Sequence, residues 1–136
     1  MLLLLPHLKT RLQALPALTG WAVRTSTESV ERKLVPAVDL RVSGAQVSDR
    51  KTGAALVTPA IGLTLVVRKG EQAAAQLDAA FAAVVGSLLN WSIGQVGGRQ
   101  WEPVSLAQVN EPLLADEGLV AMELVFVTSA KYDGQP

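Results

Sequence analysis

The sequence predicts an α+β fold: a mostly antiparallel, twisted sheet with two main helices packed on one face and a protruding hairpin arm. Three observations predict it. Two segments space their apolar residues as helices do, "LPHLKTRLQAL" near the start and "EQAAAQLDAAFAAVVGSLLNW" in the middle. Others, such as "LVPAVDLRVSG" and "LVAMELVFVTSAKYDG", alternate or run apolar over strand lengths. The order helix, strands, helix, strands groups the strands, which favours an antiparallel sheet over βαβ units. The 136 residues suit one domain, 1–136, with one core.

In residues 2–15, Leu4, Leu5, Leu8, Leu12 and Leu15 share one helical stripe. Pro6 is tolerated in a first turn, so the helix is expected to begin near Leu5. Pro16 and Gly20 end it. "GWAVRTS" is a short strand, with Trp21 and Val23 on one side and Ala22 and Arg24 on the other. "TESVERK" reads as an exposed loop. In "LVPAVDLRVSG", Val38, Leu40 and Val42 face the core, while Asp39 and Arg41 face away.

The polar connection "SGAQVSDRKTGAAL" lies between two strands and reads as a long hairpin loop. It forms an arm over about residues 43–54, with Gln46, Asp49, Arg50 and Lys51 as its candidates for docking a partner. In "LVTPAIGLTLVVRKG", Ile61, Leu63, Leu65 and Val67 form one face; Gly62, Thr64, Val66 and Arg68 form the other. Pro59 should break this strand or put its first half at an edge.

The second helix carries Leu77, Phe81, Val84, Leu88 and Trp91 as its apolar stripe. Its back holds Ala75, Ala79, Ala82, Ala83 and Gly86, where a solvated helix would carry Lys and Glu. Either alanine is there as a good helix former, or this face meets a second neighbour in the same chain or in another subunit. "SIGQVGGRQ" is a glycine-rich turn. "WEPVSLAQVNEPLL" is a strand with Pro103 near its start and Pro112 at its end.

Composition narrows the function. Cysteine is absent, so there is no disulfide framework and no thiolate chemistry. Twelve basic residues balance twelve acidic ones, which gives no global pull on nucleic acid or anionic membranes. Only 18% of residues are charged while 49% are hydrophobic, which points to surface hidden against a partner. "MLLLLPHLKT" falls short of the roughly 7–15 apolar residues of a secretory core and the roughly 20 of a membrane span. No membrane association is therefore expected.

Catalytic chemistry finds little footing. His7 is the only histidine and has no carboxylate cluster nearby, a poor start for a metal site or a triad. Glu28 with Glu31, Glu111, and Asp116 with Glu117 fall in loops or turns and read as solvated charge. "GQVGGRQ" lacks the strand-then-helix context of a phosphate-binding loop. "DRKTG" lacks the aromatic interleaving of a nucleic-acid patch. Trp21, Trp91 and Trp101 are core-rim residues or binding hot spots, between which one sequence does not decide. No enzyme, cofactor or metal is expected.

The element order resembles the tail-terminator (tail-completion) proteins of long-tailed bacteriophages, of the siphophage type. The resemblance runs over nearly the whole chain. It covers "LPHLKTRLQAL", "VPAVDLRVSG", the arm "SGAQVSDRKTG", the alanine-rich helix and "LVAMELVFVTSAKYDG". It implies a structural virion protein, assembled in the host cytoplasm and placed at the head-proximal end of the tail. Six subunits would form a ring that caps the tail tube, stops its growth and joins the neck or head-completion protein. The sheet would border a channel through which DNA only passes as cargo, with the helices outside. The arm here is short, and zero net charge gives no clue to channel polarity. Another phage neck or head-closure subunit shares this size and style. An unrelated small-molecule-binding or enzymatic α+β domain would need a deep pocket with convergent polar groups.

The closing strand joins these readings. Val120, Met122, Leu124 and Phe126 should lie under the helix that carries Leu77 and Phe81. Leu119, Ala121, Glu123, Val125 and Val127 form the other face. A carboxylate rarely stays buried without a partner, so Glu123 should point from the helix-free face to a polar contact or an aqueous channel, with Arg41 or Arg68 as its neighbour. Interface candidates are thus Ala75, Ala79, Ala82, Ala83, Glu123, Val125 and Val127. Arg41, Arg68 and Glu123 are the channel-facing candidates.

Overall fold

A computed structural model describes residues 1–28, 34–50, 53–112 and 116–134, with the side chains of residues 49 and 50 left aside. Helix α1 spans Leu4–Gln13 and is followed by a 3-10 turn at Pro16–Leu18. Strands β1 (Ala22–Thr25), β2 (Ala37–Arg50) and β3 (Ala54–Arg68) lead to helix α2 (Ala73–Leu88). Strands β4 (Gly94–Val96), β5 (Arg99–Trp101), β6 (Ser105–Asn110), β7 (Leu119–Val127) and β8 (Ala130–Asp133) complete the chain. The class is the expected α+β.

The main sheet runs β1-β2-β3-β7-β6, with β8 also on β3. All of its pairings are antiparallel except β1 with β2, which is parallel. Both helices lie on the face of Val38, Leu40, Leu63, Leu65, Leu124 and Phe126, all essentially inaccessible. Leu4, Leu5, Leu8 and Leu12 of α1 and Leu77, Ala80, Val84 and Leu88 of α2 close that core. The leucine spacing of α1 thus sets the seam that the sequence predicts. Removing such a side chain leaves a cavity that costs about 2–5 kcal/mol.

Three expectations need correction. Residues 43–54 are not a loop. β2 and β3 continue as a paired ribbon from Gly44↔Ala60 to Arg50↔Ala54, and Gly53, just before β3, has φ +76°. Pro59 does not break β3 or mark an edge. β7 pairs with β3 from Ala60 onward, and β8 pairs with residues 54–57, so Pro59 sits in the gap between the two partners. There its missing N–H interrupts neither ladder on that side. Thr58 and Ser129 bridge this gap through their hydroxyls at 2.7 Å.

The third correction concerns the segment after α2. Trp91 is not on the helix, because Asn90 adopts φ +62° and turns the chain away beyond Leu88. Asn90 and Trp91 then exchange backbone hydrogen bonds with Val104. "SIGQVGGRQ" holds a hairpin, β4–β5, whose turn residues Gly97 and Gly98 both have positive φ, as a two-residue type I′ turn requires. "WEPVSLAQVNEPLL" is split at Pro103: Trp101 ends β5 and β6 begins at Ser105. Trp101 belongs to the core itself, 1% exposed, with its indole N–H donating to Val96 O at 3.1 Å. Most of "TESVERK" lies outside the described residues.

Candidate assembly surface

The helix-free face of the sheet carries one continuous polar row. Register places Arg24, Asp39, Thr64, Glu123 and Asn110 side by side on β1, β2, β3, β7 and β6. Period-two alternation puts them all on the side opposite the core. Arg24 grips Asp39 with two bonds, Nε to Oδ1 at 2.6 Å and an Nη to Oδ2 at 3.0 Å. Another Nη donates to Leu34 O. The Arg24 side chain is 8% exposed while that of Asp39 is 45% exposed, so the cation is the desolvated partner.

Glu123 is the second anchor. Its side chain is 15% exposed. Arg41 reaches its Oε2 at 3.2 Å, and the Asn110 amide reaches its Oε1 at 3.4 Å. Arg41 comes from β2, so it must cross β3 to make this bond. It does so above Gly62, whose missing Cβ would lie 3.3 Å from Arg41 Nε and 3.6 Å from Glu123 Oε2. Gly62 is therefore the low point over which the bridge is laid. Both carboxylate oxygens are engaged, so the row fixes strands to one another rather than presenting a free acid or base.

The other expected positions fall out as follows. Arg41 is indeed the neighbour of Glu123. Arg68 is not: it is exposed at the end of β3, opposite Leu119 and four register positions from Thr64. Val125 and Val127 follow Glu123 on the same face of β7 and are half-buried. Ala75, Ala79 and Ala82 are exposed on the outer side of α2 and Ala83 is half-buried, so they form a second surface, away from the polar row. Gln46 is exposed on the arm. Asp49 and Arg50 end β2 opposite Ala55 and Ala54, while Lys51 lies outside the described residues. Leu124 and Phe126 are fully buried as expected, but Val120 and Met122 are half-buried where α2 leaves β7 uncovered.

Two open depressions flank the core. One, of about 620 Å³, lies between α2 and the β6–β7 edge and is lined mainly by Ala73, Leu77, Val109, Val120 and Met122. The other, of about 660 Å³, lies between α1 and the end of α2 beside His7 and Trp91. In it Arg11 donates Nε to Ser87 O at 3.0 Å and stacks over the Trp91 ring at 4.3 Å, so it caps α2. Elsewhere Tyr132 packs edge-on against Trp101 and lies under Arg99. It also accepts a bond from the Met1 amine, which burial and then nearby Arg99 hold below its ordinary range. Among the described residues, no cluster of three His, Cys, Asp or Glu side chains could hold a metal. No helix among them is long and apolar enough to cross a membrane.

Comparison with known proteins identifies a likeness in fold. No protein-family model matches the chain, and no curated protein matches it. A solved virion chain shares the fold. It belongs to the virion of a native gene transfer agent particle and superposes with a TM-score of 0.68. The match covers 92% of both chains at 19% sequence identity. At that identity the likeness is one of architecture.

Sequence reasoning missed Arg24, Asp39 and Asn110 as members of the row. Alternation already put Asp39 away from the core and Arg24 on the side opposite Val23. What it could not supply was the parallel β1–β2 pairing that sets them abreast.

Proposed function

We propose that this chain is a structural virion protein and, more finely, a ring-forming tail terminator. The observation that carries this reading is the fold likeness, over 92% of both chains, to a chain of a virion particle. In this reading the chain acts by geometry. Six copies close into a ring by a head-to-tail contact, cover the last docking surface of the tail tube and stop its elongation. The opposite face of the ring receives the neck or head-completion protein. The sheet borders the channel, where Arg41, Arg68 and Glu123 face DNA in passage. Ala75, Ala79, Ala82 and Ala83 serve contacts between subunits, and the arm with Gln46, Asp49, Arg50 and Lys51 serves docking. The protein then resides at the head-proximal end of the tail, in the virion.

The pairing of Arg24 with Asp39 and of Arg41 with Glu123 supports this reading, because cations held by carboxylates grip a passing polyanion less. So does the bare alanine surface of α2, which costs nothing to desolvate against a neighbour. The test is assembly. Purified chain, alone and mixed with tail-tube protein, is imaged by negative stain and weighed by mass photometry. Rings are expected, with tubes capped at one end in the mixture. Monomers under both conditions would falsify the terminator role.

A further inference from the structure

Sheet edges are rarely left unguarded, since an open row of N–H and C=O groups recruits another strand. Here β8 carries Lys131 and Asp133, an exposed charged pair. β1 is only four residues long. Two stretches of edge have no such protection among the described residues. One is residues 43–48 of β2, past Leu40 where the described pairing with β1 ends, and the other is the outer side of β6. Their sequences match: residues 43–48 read Ser-Gly-Ala-Gln-Val-Ser, and Ser105–Asn110 reads Ser-Leu-Ala-Gln-Val-Asn. Neither contains a charge or a proline. Their valines, Val47 at 64% and Val109 at 45%, are among the most exposed large apolar side chains of the described residues.

We propose that these two edges pair with each other between copies: residues 43–48 of one chain add to β6 of the next. Main-chain hydrogen bonds supply the attraction, and the inside–outside alternation of both strands restricts the register to two-residue steps. Strand direction fits. β2 is antiparallel to β3, β3 to β7 and β7 to β6, so β6 runs opposite to β2. A neighbour related by rotation about an axis along the sheet keeps its strand directions. Its β2 then meets β6 antiparallel, the stronger ladder. A bulge near Ala107 bends β6 but leaves Gln108, Val109 and Asn110 in register with β7.

The stagger fits as well. Gln108 is level with Val125, Gly62 and Arg41. Setting residues 43–48 beside β6 therefore offsets successive copies by about four residues, roughly 13 Å along the strands. From one β2 to the next there are four strand spacings, roughly 19 Å. The ratio is a tilt of about 35°, at the lower end of the range in which sheets close into barrels. The contact uses two different edges, so it is heterologous and can close a ring.

This inference rests on the self-association in the proposed function but not on the terminator role. The chain is free of cysteine, so single cysteines report cleanly. Gln46→Cys and Gln108→Cys variants are mixed and oxidised, and each is also oxidised alone. A disulfide dimer is expected from the mixture and from neither variant alone. Val109→Lys, with its fold checked by circular dichroism, is expected to weaken self-association at least about tenfold by guarding the edge. Val47→Glu in the partner copy is expected to restore it. Oligomers that persist in Val109→Lys, with no cross-link in the mixture, overturn the edge pairing and leave the ring reading standing. Absence of any oligomer, with and without tail-tube protein, overturns both.

Discussion

Arg41 donates to Glu123 across the full width of β3, at 3.2 Å, with Gly62 as the residue beneath the bridge. The bond joins β2 to β7, strands that share no ladder. Because Arg41 is 59% exposed, solvent screens the pair and its worth is that of a surface ion pair. A double-mutant cycle with Arg41→Ala and Glu123→Gln should return a coupling of about 0.5–1 kcal/mol. Urea denaturation in low and high salt checks it, and the coupling should shrink with added salt.

Gly62→Ala should erode that coupling without unfolding the chain. The added methyl would approach Arg41 Nε to 3.3 Å, and a long arginine side chain can move aside. The expected cost is below about 1 kcal/mol, since alanine's reduced backbone freedom in the unfolded chain offsets part of it. Repeating the double-mutant cycle in the Gly62→Ala background measures the loss. An unchanged coupling would show that the bridge does not need the gap.

Asp39→Ala should be the costlier break in the row. It removes both carboxylate acceptors from Arg24, the desolvated partner of the pair. About 2–3 kcal/mol of destabilisation is expected, against under about 1 for Arg41→Ala. Equal midpoints for the two variants would contradict this ordering.

Arg11→Ala should loosen the end of α2. It deletes the bond to Ser87 O and the stacking on Trp91. The combined loss is about 1–2 kcal/mol, and Arg11→Lys should recover only part of it because an ammonium cannot stack and donate as a planar guanidinium does. Tryptophan fluorescence should shift in both variants as Trp91 gains water.

Ala79→Glu should separate folding from assembly. Ala79 is exposed on α2, so the substitution should change stability by no more than about 0.5 kcal/mol. If the alanine surface meets a neighbouring subunit, the oligomer seen by mass photometry should dissociate at higher concentration than the unaltered chain does. Unchanged assembly would mark the surface as plain solvated helix.

What the sequence makes legible follows from where periodicity has a core to report. The leucines of α1, the alternation around Val38 and Leu40, and the apolar row through Leu124 and Phe126 all record one buried face. Glu123 could be assigned a polar neighbour because it interrupts such a row. The arm was unreadable as strand for the opposite reason: a ribbon with solvent along one edge has no inside for its side chains to mark, so Gly44, Gln46 and Ser48 look like loop. Pro59 misled because a proline argues against a strand interior unless one partner changes there, and the change from β7 to β8 is a tertiary fact. Trp91 left its helix because Asn90 could adopt a left-handed turn, an option that composition permits but does not demand.

β3 runs unbroken from the arm into the middle of the sheet, held on one side by β2 and on the other by β7 and β8 in succession. A pull on the arm along its length therefore reaches the centre of the molecule through strands that continue into the sheet, β2 and β3 together. Such a load shears many hydrogen bonds at once instead of peeling them one by one. The arm is thus suited to act as a mechanical tether, one that transmits tension into the body of the protein without unzipping from it.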